Sequence, residues 1–186
     1  MESDDMMVLE PWDCESHQEP SSVQRSNPMA TTTYLKGDAT QPQAAGNRII
    51  AHICNDQGGW GKGFVGALSK RWDGPEAAYR SWYEDRSKND FGMGAVQLVS
   101  VEPNLWVANM LAQHGDQATA QGPPIRYDAV RKCLKQLAAE AKNPGASVHM
   151  PRIGCGLAGG KWEEIEPIIT DELTSQGIEV SVYDFG

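Results

Sequence analysis

From Thr32 onward the apolar residues alternate between a period of two and a period of three to four, the pattern of strands interleaved with helices. Strands are expected over 32–35 and 49–53, followed by helices over 63–72 and 75–86. Pro75-Glu76 suits a helix start, because proline lacks only an N–H that would be unpaired there. Strands over 95–101 and 105–111 form a hairpin across Glu102-Pro103-Asn104. The clearest helix is 127–141, where Val130, Cys133, Leu134, Leu137, Ala138 and Ala141 share one face. A strand over 147–150 follows. A last helix should begin near Glu164 or Glu166, so that Pro167 falls in its first turn. Gly177 caps it, and a strand over 178–183 closes the pattern. The expected fold class is α/β, a three-layer α/β/α sandwich on a mixed, mainly parallel sheet, with a ligand crevice at the carboxyl ends of the strands.

A chain of 186 residues fits one well-buried core and a tail. Residues 1–31 are polar and acidic and are broken by Pro11, Pro20 and Pro28, which predicts a flexible tail ahead of a domain over 32–186. Met7-Val8-Leu9 with Trp12 is the one stretch of that tail able to pack on the domain. No apolar run approaches a membrane span, and the first residues lack a signal-peptide pattern. Cys14, Cys54, Cys133 and Cys155 form no CxxC pair and no zinc-like spacing with His17, His52, His114 or His149. The expectation is a reducing, cytoplasmic setting with no metal and no membrane partner. A net charge of −9 argues against a broad polyanion-binding surface, yet a diphosphate held by backbone amides needs local dipoles and not net positive charge.

Two glycine-rich loops carry the candidate chemistry. The first, Asn55-Asp56-Gln57-Gly58-Gly59-Trp60-Gly61-Lys62-Gly63-Phe64-Val65, follows an apolar strand and opens a helix. The second, Pro151-Arg152-Ile153-Gly154-Cys155-Gly156-Leu157-Ala158-Gly159-Gly160, also follows a strand and precedes a helical pattern. Glycines let a backbone come close to a ligand, and helix starts offer unpaired N–H groups to an anion. Neither loop has the order of a nucleotide-triphosphatase or dinucleotide fingerprint. A lysine such as Lys62 is more often a solvated loop residue than a phosphate ligand.

Together with Lys36-Gly37-Asp38-Ala39, Trp162 and the terminal Val182-Tyr183, these loops resemble the macrodomain family in order and spacing, over about five-sixths of the chain. Within it, His52-Ile-Cys-Asn55 and Ala112-Gln113-His114 are similar to the macrodomain of a chromatin remodeller. Met150 to Leu157 is similar to the terminal ADP-ribose glycohydrolase. The resemblance implies ADP-ribose as ligand, ADP-ribosylated protein or DNA as partner, a monomer with no cofactor, and a place in the DNA damage response. Asp38 and Ala39 would meet the adenine, Asp38 accepting from its 6-amino group, and Tyr183 would lie beside it. Asn55 would hold the distal ribose. Gly61, Lys62, Gly63, Phe64 and Val65 would clamp the diphosphate from one side, and Arg152, Ile153, Gly154, Cys155, Gly156, Leu157 and Ala158 from the other. Asp38 also reads as a simple turn cap.

The glycohydrolase pattern has a lysine and an aspartate where this chain has Gln113 and Ala158, so that mechanism is not carried over. The positions left for chemistry are Asn55, Asp56, Gln113 and His114. Cys155 lies between two glycines with no paired base in sight. Residues 115–124 have a loop composition, and Trp60, Trp72, Trp82, Trp106 and Trp162 read as core or rim packing. The expected function is ADP-ribose binding with hydrolysis of an ADP-ribosyl linkage. The alternatives are a non-catalytic ADP-ribose-binding module and an ADP-ribose 1″-phosphate phosphatase.

Overall fold

The computed structural model describes residues 29–185. Its elements follow the expected order: β1 Thr32–Lys36, β2 Arg48–Asn55, α1 Phe64–Arg71, α2 Gly74–Glu84, β3 Val96–Glu102, β4 Leu105–Gln113, α3 Tyr127–Lys142, β5 Ser147–Met150, α4 Trp162–Glu172 and β6 Val180–Asp184. One six-stranded sheet has the order β1-β6-β5-β2-β4-β3, parallel throughout except for the β3–β4 hairpin. Asn104 turns that hairpin at φ 62.

Side-chain alternation along the strands splits the core into two layers, because successive residues of a strand face opposite sides of the sheet. In β4, Ala108, Met110 and Ala112 pack with Val130, Leu134, Leu137, Ile165 and Ile169 of α3 and α4. Leu105, Val107 and Leu111 face the other way, onto Val65, Leu68, Tyr79 and Trp82 of α1 and α2. This is the expected three-layer α/β/α sandwich. Since β1, β6, β5, β2 and β4 run parallel, the loops after all five open on the same edge.

Two boundaries correct the sequence reading. Helix α4 starts at Trp162, so Pro167 lies in its second turn and not its first. The missing N–H orphans the carbonyl of Glu163, but both residues are exposed and water can satisfy it. Strand β6 starts at Val180 and not at residue 178, because Gly177 adopts the left-handed conformation at φ 79 and the Ile178 N–H turns back to the Leu173 carbonyl at 3.1 Å. The tail assignment lies mostly outside the described residues, as do Met7, Trp12, Cys14 and His17. Its last residues are held: the Ala30 N–H donates to the Thr174 carbonyl at 3.0 Å. Among the described residues no helix is long and apolar enough to cross a membrane.

Candidate functional site

At the carboxyl edge of the sheet the two glycine loops face each other across a crevice of two compartments. One, of about 310 Å³, is lined by Gly37, Asp38, Ala39, Gly63, Phe64, Ala67, Pro151, Tyr183 and Phe185. The other, of about 300 Å³, is lined by Lys62, Gly63, Phe64 and Val65 of the first loop and Pro151, Arg152, Ile153, Gly154, Gly156, Leu157 and Ala158 of the second, over a floor of His52, Ile53 and Gln113. Gly63, Phe64 and Pro151 belong to both, so the compartments join between the loops. Thus residues 90 positions apart in the chain, such as Lys62 and Arg152, meet because β2 and β5 pair in parallel and end side by side. Asn55, Asp56, Gly61, His114 and Cys155 line neither compartment, and His114 instead borders a separate cavity with Met93, Arg126 and Lys132.

Asp38 sits where the first compartment begins. Its Oδ1 accepts the Thr40 N–H at 2.8 Å and the Thr40 hydroxyl at 2.7 Å, the turn cap that its sequence context allows. Oδ2 faces the Arg71 guanidinium at 3.7 Å, and Arg71 Nε donates to Thr40 Oγ1 at 2.7 Å. Partial burial raises the Asp38 pKa, but the Thr40 hydrogen bonds and the Arg71 charge outweigh it and hold the carboxyl below its usual range. The cap therefore uses one carboxylate oxygen and leaves the anionic group in place for a ligand. Tyr183 is positioned from beneath: its hydroxyl lies 2.8 Å from His149 Nδ1, and His149 Nε2 lies 2.8 Å from Ser147 Oγ. Burial, helped by the charge of Arg48, pushes His149 down to about 4, so it is a neutral strut.

The first loop is organised by Asn55. Its Nδ2 donates to the Gly59 carbonyl at 2.7 Å, its Oδ1 accepts from the N–H groups of Gln57 at 2.9 Å and Gly59 at 3.3 Å, and the Tyr79 hydroxyl donates to its backbone carbonyl at 2.7 Å. With 8% of its surface exposed, Asn55 is first a loop organiser, and one Nδ2 hydrogen is left uncommitted. At Gly58, φ is +81 and a Cβ would lie 2.4 Å from the Tyr83 ring, so the loop lies on Tyr83 only because that residue is glycine. Beneath the second compartment His52 is 2% exposed, and its Nε2–H donates to Asn109 Oδ1 at 2.5 Å, since the Asn109 Nδ2 donates to Pro75 O and Gln97 Oε1. Burial pushes His52 down to about 4 against the pull of that bond, so the compartment floor is polar and uncharged.

Gln113 and Ala158 both line the second compartment, and neither can move a proton. Gln113 Nε2 donates to the Gly115 carbonyl at 2.8 Å, and buried Ala158 accepts from Ile125 N–H at 3.1 Å. The ionisable pair lies just beyond them. The β2–β4 register slips between Cys54 and Asn55, a bulge that turns Asp56 toward the end of β4, where its N–H donates to the Gln113 carbonyl at 3.0 Å. Asp56 Oδ2 then lies 2.8 Å from His114 Nδ1, while Oδ1 accepts the Gly115 N–H at 3.1 Å. This places Nδ1–H toward the carboxylate and leaves Nε2 of a partly exposed ring without a partner among the described side chains.

Arg152 borders the second compartment, but its guanidinium is bound to Asp184 through two bonds, Nε to Oδ1 at 2.6 Å and a terminal NH₂ to Oδ2 at 2.9 Å. It also lies over the rings of Tyr34 and Trp162 at 5.2 and 5.1 Å. That cluster ties the second loop to β1, α4 and β6, which makes Arg152 an anchor of the loop. Burial raises the Cys155 thiol, opposed in part by Arg152, and no base lies beside it, so it is poorly suited to act as a nucleophile. Of the five tryptophans among the described residues, Trp60 and Trp82 are buried, and Trp60 Nε1 donates to Ser69 Oγ at 2.8 Å, as packing residues do. Pro151, Arg71, His52 and Phe185 went unassigned in the sequence. His52 shares a face with Ile50 and Cys54 in the strand alternation, which is the one signal that could have found it.

No protein-family model matches the chain. It is 35% identical over 159 residues to the chromodomain-helicase-DNA-binding protein 1-like of Danio rerio, an alignment covering 81% of this chain and 15% of that protein. The chain thus spans only a small part of the first curated relatives it matches. It is 28% identical over 165 residues to the ADP-ribose 1″-phosphate phosphatase of Lodderomyces elongisporus, covering 83% of this chain and 99% of that one. The solved structure of a macrodomain protein from Streptomyces coelicolor is 56% identical and superimposes with a TM-score of 0.75, covering 84% of this chain and 100% of that chain. A match of that identity over the whole of a macrodomain, with the paired glycine loops on the same sheet edge, means that the chain belongs to the macrodomain family.

Proposed function

We propose that this macrodomain binds ADP-ribose across the two compartments and hydrolyses an ADP-ribosyl linkage at the far end, releasing ADP-ribose from a modified macromolecule or small derivative. The observation that carries the reading is the joined crevice itself. It has a carboxylate held anionic at one end, two glycine loops that meet at Gly63, Phe64 and Pro151, and at the other end Gln113, which the chain joins directly to His114 of the Asp56–His114 pair. Adenine in the first compartment would present its 6-amino donor to Asp38, where guanine would present a carbonyl. Backbone N–H groups at the start of α1 and in the second loop would hold the diphosphate. The distal ribose would then lie toward Gln113. There His114, oriented by Asp56, would take the proton of a water that attacks the anomeric carbon, or supply one to the departing oxygen, as the carbon–oxygen bond to the leaving group breaks.

The test has two steps. Calorimetry should show 1:1 binding of ADP-ribose at roughly micromolar affinity, about −8 kcal/mol. Incubation with mono-ADP-ribosylated protein, ADP-ribosylated DNA and ADP-ribose 1″-phosphate should then release free ADP-ribose faster than buffer does in at least one case. Tight binding without release in any arm leaves the second reading, a non-catalytic ADP-ribose-binding module. That reading is favoured by Gln113 and Ala158, two residues without acid or base function in the distal compartment. Release from the 1″-phosphate alone would make the protein a phosphatase, as the name of its Lodderomyces relative reads.

A further inference from the structure

A third cavity, of about 550 Å³, continues from the first compartment along the outside of α1 and is lined by Asp38, Gly63, Gly66, Ala67, Lys70, Arg71 and Phe185. Four of these, Asp38, Gly63, Ala67 and Phe185, also line the first compartment, so the two spaces are continuous. Gly63, Gly66, Ala67 and Lys70 form one face of the helix, spaced at three and four residues, while Val65 and Leu68 bury the opposite face. Gly66 is the informative position. It is exposed in the first turn of an eight-residue helix, and no atom lies within 4 Å of where a Cβ would stand. Neither packing nor backbone conformation calls for glycine there.

The bare wall ends in two cations. Arg71 is held by Thr40 and faces Asp38, which leaves part of its donor fork free. Lys70 is exposed, and among the described residues no carboxylate lies within ion-pair distance of it. Along the helix, Lys70 stands roughly 10 Å beyond Gly63 at 1.5 Å rise per residue, enough for a sugar and a phosphate. Resting on the reading of the crevice as an ADP-ribose site, we propose that this groove binds an anionic phosphate carried on the adenosine half of the ligand. Plain ADP-ribose would leave the groove unused. An ADP-ribose bearing a phosphomonoester on its adenosine ribose, or a second ADP-ribose unit joined there, would place phosphate beside Lys70 and Arg71.

The experiment is calorimetry on the full chain with three probes: ADP-ribose, 2′-phospho-ADP-ribose, and the dimer of ADP-ribose joined through the adenosine ribose. At least one extended probe should bind about tenfold tighter than ADP-ribose, the effect of one charge-assisted contact at a partly exposed rim. The advantage should shrink at high ionic strength. Lys70→Ala should abolish it while plain ADP-ribose binds as to wild type. Gly66→Gln, which improves helix propensity and so endangers no folding, should fill the groove and do the same. A gain with the phosphomonoester alone identifies a free phosphorylated nucleotide as the source, and a gain with the dimer alone identifies a polymer. Equal affinity for all three probes, or an advantage that survives both substitutions, overturns the inference while the ADP-ribose site stands. No heat with ADP-ribose overturns that site, and the groove assignment falls with it.

Discussion

Nδ1 of His114 lies 2.8 Å from Oδ2 of Asp56, 58 residues earlier in the chain, and the other oxygen of that carboxylate accepts the N–H of Gly115. The contact fixes which imidazole nitrogen is free, and it sits where the β2–β4 register slips, with Ala112 of β4 left unpaired between Leu111 and Gln113. It joins two loop residues with ordinary turn roles into one hydrogen-bonded pair.

Asp56→Asn keeps an oxygen for Gly115 and removes the charge opposite His114. Turnover of the hydrolysed ADP-ribosyl substrate should fall roughly a hundredfold, within the range for a positioned acid or base, while the Kd for ADP-ribose stays within about twofold. His114→Gln should cost a similar factor, and the double substitution little more than either alone, because the two act as a unit. Steady-state rates on all three variants check this. Full activity in Asp56→Asn would remove the pair from the chemistry.

Asp38→Ala should weaken ADP-ribose by about 1.5–3 kcal/mol, the range for hydrogen bonds to a charged group. It should also erase any preference over the guanine analogue. Since Asp38 Oδ1 also caps Thr40, the variant should lose a little thermal stability; calorimetry and a melting curve separate the two effects. Unchanged affinity would leave Asp38 as a cap only.

Gly156 lines the second compartment and has no atom within 4 Å of a would-be Cβ. Gly156→Glu should therefore fold with an unchanged melting temperature, yet lose ADP-ribose binding and turnover together, because its side chain enters the crevice and sets a carboxylate against the diphosphate. Retained binding by a folded variant would place the diphosphate elsewhere.

Burial holds both His52 and His149 near 4, whereas an unfolded histidine titrates at about 6.5. Between those values the unfolded chain binds protons that the native state refuses, so stability is fully present above about pH 6.5 and falls as pH drops through the window. His52 alone should account for roughly 2 kcal/mol between about pH 7 and 5. Urea unfolding at steps across that range reads the slope, and His52→Gln should flatten part of it. A profile that is level in the wild type would mean that these rings are hydrated in solution.

By itself the sequence determined the order and type of every element, the split between two core faces, and the two glycine loops, because periodicity, proline placement and glycine clusters act within a few residues. The turn-cap reading of Asp38 was legible too, and the structure shows that cap through Thr40. Only the tertiary structure decided which loops face each other and which side chains meet. The slip of register at Cys54 and Asn55 aims Asp56 at His114, and parallel pairing of β2, β5 and β6 brings Arg152 to Asp184 and both loops to one edge. Such meetings depend on strand register and crossover, which sum contacts over the whole sheet and leave no mark in any short stretch of residues. The start of α4 went the same way: burial of Ile165, Ile168 and Ile169 against α3 and the sheet outweighed the one backbone bond that Pro167 removes.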